Sequence, residues 1–246
     1  MHKVFFHSSE LPAEWESLAG NNLFMTKPFL KDLEVTQNRL TEYHLFYDGD
    51  NNLDSIFMIF TYPDFPFFKN TILPFTKKIR MIYYPLPFSG STMILGSKTK
   101  SEVESVIKKI KGFTLICNIP EEDLLDLPYE LSFARCTIKL RWNSMDGYLE
   151  SLRSHYRYKY LKTLGKTSNL IVNEINSKDF NMELYRLYEN VFEKTDLKIN
   201  KAEPAFFQGE YSHIITISTL EKCIGFVQLI ANGKELVFSL IGMDYN

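Results

Sequence analysis

The 246-residue sequence is 45% apolar and 24% charged, a balance that suits a folded chain and excludes disordered, collagenous and disulfide-scaffold classes. Its 28 basic and 30 acidic side chains give a formal charge of −2, so no global field draws it to nucleic acid or an anionic membrane. At about 150 residues per domain the length fits one large domain or two small ones, with a core that needs no disulfide or metal.

In chain order, residues 4–6 read as a short strand, and Pro12 opens a helix to Leu18, proline being tolerated at the first helical position. Thr26 caps a second helix, with Pro28 in its first turn and Phe29, Leu30 and Leu33 on one face. Residues 43–47 and 55–61 are β-rich and joined by Asp48-Gly49-Asp50-Asn51-Asn52, which predicts a hairpin. The stretch 62–90 mixes Pro63, Pro66, Pro74, Pro85 and Pro87 with aromatics, and within it only 79–84 reads as a strand. Val103, Val106, Ile107 and Ile110 fall at i, i+3, i+4 and i+7, the stripe of a surface helix. Thr99 with Glu102 supplies a capping box for it, and Gly112 a stop. A strand over 113–119 and a short helix over 121–127 follow.

In residues 135–142, Cys136, Ile138, Leu140 and Trp142 alternate with Arg135, Thr137, Lys139 and Arg141, the period of a half-buried strand. Tyr148, Leu149, Leu152, Tyr156, Tyr160 and Leu164 keep helical spacing over 145–165, and a strand over 170–174 comes next. Leu184, Leu187, Tyr188, Val191 and Phe192 mark another helix, and Pro204 starts a short one with Phe206 and Phe207. The tail reads as strands over 214–218, 223–231 and 235–242, with Asn232-Gly233 as the last hairpin turn. Each half is thus strand, helices, then antiparallel strands, an α/β (α+β) class with mixed sheets and a division at 1–138 and 139–246.

The three cysteines, Cys117, Cys136 and Cys223, lie far apart in strand-like contexts and read as buried thiols. Without C-x-x-C or paired histidines, no metal is expected. The apolar stretch near the start is far below the roughly 7–15 residues of a secretory core, and no run approaches the ~20 that span a bilayer. A cytoplasmic protein is the expectation.

Two features carry chemistry. Arg153 and Arg157 sit one turn apart, where two guanidinium forks can share an anion, and Lys159, Lys162 and Lys166 extend the charge. The same residues also fit a solvated basic face at the cation-favouring end of a helix. Gly90-Ser91-Thr92 and Gly96-Ser97-Lys98-Thr99 before the helix at 103 offer small residues and backbone N–H groups, but not the P-loop spacing; a turn and cap fits them better. Asp244 and Tyr245, at the end of a predicted strand, are the candidate catalytic acid–base residues.

Several spaced segments resemble the FemAB-like branch of the GNAT acyltransferases, the peptidoglycan biosynthesis/recognition-type proteins. They are Phe24-Met25-Thr26-Lys27-Pro28-Phe29-Leu30 with Leu33-Glu34, and Tyr84-Pro85-Leu86-Pro87-Phe88-Ser89-Gly90. Met145-Asp146-Gly147-Tyr148-Leu149-Glu150-Ser151-Leu152 runs into Arg157-Tyr158-Lys159, and Leu187-Tyr188 precedes Val191-Phe192 and Lys194. Ile224-Gly225-Phe226-Val227 and Gly242-Met243-Asp244-Tyr245 complete the set.

The resemblance implies two tandem GNAT-like lobes, the second incomplete, and transfer of an acyl or aminoacyl group from acyl-CoA or aminoacyl-tRNA to an amine of a cell-wall precursor. It sets Arg157 and Lys159 toward substrate phosphates. The family's Q/R-x-x-G-x-G/A donor loop does not occur, which keeps open a non-catalytic binding module or an inactive shortened product. The last predicted strand would leave an open apolar edge, for which a homodimer is one remedy. DNA or RNA is disfavoured by the charge balance.

Overall fold

The computed structural model describes residues 1–37, 39–67, 75–84, 90–131, 136–195 and 201–245, with side chains at 64–67 and 75–77 left aside. It has a mixed α/β architecture with two sheets. The first has the order β1 (His2–Phe5), β2 (Thr41–Tyr47), β3 (Leu53–Phe67), β4 (Phe75–Ile82), β6 (Phe113–Ile116), with the short β5 (Met93–Ile94) also against β3. Its pairs are antiparallel except β4 with β6. Parallel neighbours need a crossover, and α3 (Lys100–Lys109) lies within that connection.

Both faces of this sheet are covered, so β2 and β3 read as continuous apolar runs rather than alternating ones. Phe46, Phe57, Ile59 and Ile82 face Val103 and Ile107 of α3. Tyr43, Leu45, Ile56, Met58 and Phe60 face the opposite way, into a cluster with Trp15 of α1 (Ala13–Ala19) and Phe29, Leu30 and Leu33 of α2 (Lys27–Gln37). Trp15 is fully buried and satisfies its indole N–H on the Met25 carbonyl at 2.6 Å.

The second sheet is an antiparallel meander of β7 (Ile171–Ile175), β8 (Ser212–Ser218), β9 (Cys223–Asn232) and β10 (Glu235–Met243), in the order β10-β9-β8-β7. α6 (Met182–Lys194) packs on β9 and β10, and α7 (Pro204–Phe207) supplies Phe206 and Phe207. The last hairpin differs from the expected Asn232-Gly233 turn. Asn232 still pairs with Glu235, and the loop is Gly233-Lys234, with Gly233 at φ +60°. The freed Asn232 side chain accepts the Leu23 N–H at 2.6 Å, tying the hairpin to the first half.

The two halves share one core. Phe180, Tyr188, Phe207, Ile214 and Phe226 belong to the same buried cluster as Trp15 and Tyr43, so chain from either side of residue 138 meets there. Tyr188 accepts the Ala202 N–H at 2.9 Å and Tyr185 donates to its carbonyl at 3.0 Å, clamping α7's lead-in against α6.

Several expectations need correction. Residues 136–142 keep the strand period but form no strand among the described residues, and Arg135 lies outside them. Cys136 is therefore exposed, while Cys117 and Cys223 are half-buried; all three are free thiols. The helix expected over 121–127 shrinks to a 3-10 turn at Glu121–Asp123. The Thr99–Glu102 capping box does not form, and Glu102 instead lies 3.7 Å from the N-terminal amine. The proline-rich stretch 62–90 holds more strand than the 79–84 expected, because β3 runs on to Phe67 and β4 starts at Phe75, while 68–74 and 85–89 fall outside the described residues.

β1 carries a pH-sensitive contact. His2 stacks on Phe46 with ring centroids 4.4 Å apart, and its Nε2 meets His44 Nδ1 at 3.0 Å. Burial, and after it His44, lowers the His2 pKa below 6.5, with Glu102 opposing and the N-terminal amine adding. The folded state thus binds this proton less readily than the unfolded chain. The stability it confers is complete above pH 6.5 and drains as pH falls through the folded pKa. The His44 imidazole likewise lowers the Glu42 pKa against burial, so that contribution also fades in acid. The expected result is a melting temperature that falls as pH drops below 6.5. His2→Gln should flatten that slope in thermal scans, and an equal slope in both proteins would refute the assignment.

Candidate functional site

The basic segment folds as two helices where the apolar spacing predicts one. Ser144 caps α4 (Met145–Ser151) by accepting the Gly147 N–H at 3.1 Å, and α5 (Ser154–Lys166) begins after an extended break at Leu152 and Arg153. Arg157 explains why the break holds. Its Nε donates to the Leu149 carbonyl at 2.9 Å, and Nη2 donates to Glu150 at 3.0 Å and Leu152 at 3.1 Å. The end of α4 leaves carbonyls without intrahelical partners, and a cation suits that end of the helix dipole. Arg157 therefore pins α4 to α5.

This alters the geometry expected of the four candidate phosphate ligands. Arg153 is the exposed cap residue of α5, and its carbonyl accepts the Tyr156 and Arg157 N–H groups at 2.9 and 3.0 Å. Arg157 spends most of its fork on backbone, leaving Nη1. At about 100° per residue, Lys159, Lys162 and Lys166 emerge on the side of the helix roughly opposite Arg157. The arginines and lysines do not form one cradle. The lysines form a face of their own, exposed, with Lys162 Nζ 5.8 Å from the centre of the Tyr158 ring. α5 contains no acidic residue, and none of the three lysines makes an ion pair among the described residues. Neither α4 nor α5 packs extensively on either sheet.

Asp244 and Tyr245 sit just past β10 and are both engaged. Lys222 Nζ donates to Asp244 Oδ2 at 2.5 Å, and the Asp244 N–H donates to the Ile224 carbonyl at 2.8 Å. The Tyr245 ring lies under Lys194 Nζ, 3.5 Å from its centroid, and Asn190 donates to the Met243 carbonyl at 3.2 Å.

Residue types alone gave no sign of what fills the loop before α3. Asp54, 44 or 45 positions upstream, accepts the Lys98 N–H at 3.1 Å and both the N–H and hydroxyl of Thr99 at 2.9 Å on one oxygen. The relay continues: Gly96 N–H donates to Ser55 Oγ at 2.8 Å, and Ser55 donates on to Thr99 Oγ1 at 2.6 Å. A Cβ on Gly96 would come within 2.2 Å of the Asp54 carboxylate, so only glycine fits. The helix start, the kind of place where a diphosphate binds, already holds an internal anion. The antiparallel pairing of β3 with β5, Ile56 opposite Ile94, brings Asp54 there, and no local spacing announces it.

A depression of about 320 Å³ beside the start of α2 is lined by Ser8, Ser9, Lys27, Pro28 and Lys31. Lys27 Nζ is already bonded to the Leu11 carbonyl at 2.6 Å. Among the described residues no group of three or more His, Cys, Asp or Glu converges to hold a metal, and no helix is long and apolar enough to cross a membrane.

No family model matches the sequence, and no curated protein matches it.

Proposed function

We propose that this chain is a binding module that takes a phosphate-bearing ligand on the lysine face of α5. The observation that carries this reading is the uncompensated charge of Lys159, Lys162 and Lys166 on a helix without acids, in a chain of net charge −2. Arg157 acts as a positioning residue: it fixes the angle between α4 and the helix that carries the lysines. A lysine ammonium is a point charge with several donors, suited to phosphate oxygens without demanding the planar fit of a guanidinium. A phosphorylated cell-wall precursor is the ligand class that the FemAB-like resemblance adds.

The second reading is a GNAT-type N-acyltransferase of two tandem lobes, moving an acyl group from acyl-CoA or an aminoacyl-tRNA to an amine. What supports it is the family-like order of segments and a half-buried carboxylate, Asp244, at the end of β10. The donor side fits poorly. The sequence lacks the pyrophosphate loop, and the N-terminus of α3 is filled by Asp54. No catalytic step is derived through that donor.

One titration separates the readings. Inorganic pyrophosphate and acetyl-CoA are each titrated by calorimetry into the wild-type protein and into a Lys159→Ala/Lys162→Ala variant. The binding-module reading expects pyrophosphate to bind and the variant to lose about 1.5–3 kcal/mol per charge-assisted bond removed. Weakening should grow at low salt and shrink at high salt. Equal affinity in both proteins would sink it. Acetyl-CoA turnover with an amine acceptor would instead establish the transferase.

A further inference from the structure

The β7–β10 sheet is covered on one face and bare on the other. Ile214, Phe226 and Ile230 point into the shared core. The register pairs Val172 with Ile217 and Leu229 with Phe238 on the opposite face. There Val172 is 62% and Phe238 64% exposed. β10 is also an edge: it pairs with β9, and no described strand pairs with its other side. Apolar side chains on an open edge are what natural sheets cover, charge or close.

The same chain carries a segment with the strand period and, among the described residues, no sheet to join. Residues 136–142 keep a strict period of two, and no backbone hydrogen bond is found for them among the described residues. Ile138 is 73% and Leu140 85% exposed. A row of unpaired backbone groups with one apolar face is half of a β-pairing.

We propose that two copies of this chain pair reciprocally, residues 136–142 of each adding to the free edge of β10 in the other. Among its described residues, each copy has an edge lacking a strand and a strand-patterned segment lacking an edge. A two-fold exchange meets both needs at once, whereas a one-sided partner would leave one of them open. In this pairing Ile138 and Leu140 extend the apolar face that Leu236 and Phe238 begin.

Charge agrees with the choice. The donor segment holds Lys139 and Arg141 and no acid, and β10 holds Glu235 and no base, so donor-on-edge pairing is attractive where donor-on-donor is not. β7 fits less well: it is five residues long, and its Glu174 is held by His213 at 3.0 Å.

The test uses the full chain in sedimentation equilibrium over a concentration series, with hydrogen exchange read on peptides covering 136–142. The expected result is a dimer, with amide protection over 137–142 that rises with dimer fraction. Leu140→Lys should weaken dimerisation by about tenfold or more and remove that protection, and Phe238→Lys should do the same. Both side chains are largely exposed in the single chain, so the melting temperature of the dilute protein should not change. Three results would overturn the proposal: a monomer at about 100 µM with 136–142 unprotected, a dimer indifferent to both substitutions, or protection already complete in the monomer. The last would mean that the strand closes on its own sheet.

Discussion

Replacing Phe226 with alanine should lower stability by about 3–5 kcal/mol, the range for removing a fully buried aromatic ring. Phe226 is 1% exposed and sits edge-on to Phe180 and Phe207, with centroids 5.1 and 5.7 Å away. Its ring also fills the space above Gly242, where a built Cβ would come within 2.2 Å of it. The cavity would open where α6, α7 and the second sheet meet, and rigid neighbours cannot collapse to fill it. Phe226→Leu keeps much of the volume and should cost less than about 1.5 kcal/mol.

The same variant reports on how the halves are joined. Trp15 lies in the first half but in the same buried cluster as Phe226. In a Trp142→Phe background, Trp15 fluorescence and far-ultraviolet circular dichroism should give one coincident urea transition, shifted together by Phe226→Ala. Two separate transitions, with Trp15 unmoved, would show that each sheet folds alone and that the shared cluster is mere contact.

Asp54→Ala should cost about 2–3 kcal/mol, because three hydrogen bonds to one charged oxygen at a helix start disappear together. Those bonds run from Lys98 N–H, Thr99 N–H and the Thr99 hydroxyl, and they hold the entry to α3 against β3. Loss of the carboxylate also removes the negative charge that suits the N-terminal end of the helix dipole. At about 2–4 °C per kcal/mol for a chain of this size, the melting temperature should drop by roughly 4–12 °C. Asp54→Asn keeps the shape without the charge and should fall between the two. A variant as stable as wild type would mean that the carboxylate is replaceable by water, and that the helix start is open to an external anion after all.

The sequence by itself determined the elements with strong local periodicity. The stripes at 103–110 and 184–192 became α3 and α6, because the helical period writes itself into which positions are apolar, and the β-rich runs joined by turn residues 48–52 became the β2–β3 hairpin. It also located the basic helix and the closing strands.

Tertiary structure decided what those residues do. Arg157 looked like half of an anion fork, yet its partners are the carbonyls of the preceding helix, since only the chain's turn between α4 and α5 brings them within reach. Thr99 looked like an accepting cap, yet it donates to a carboxylate that the β3–β5 pairing delivers from far upstream. Residues 136–142 carry the period of a strand, and period alone does not supply a neighbour to pair with. Local pattern reports which face is apolar; partners come from contacts distant in sequence, and those exist only once the chain has folded.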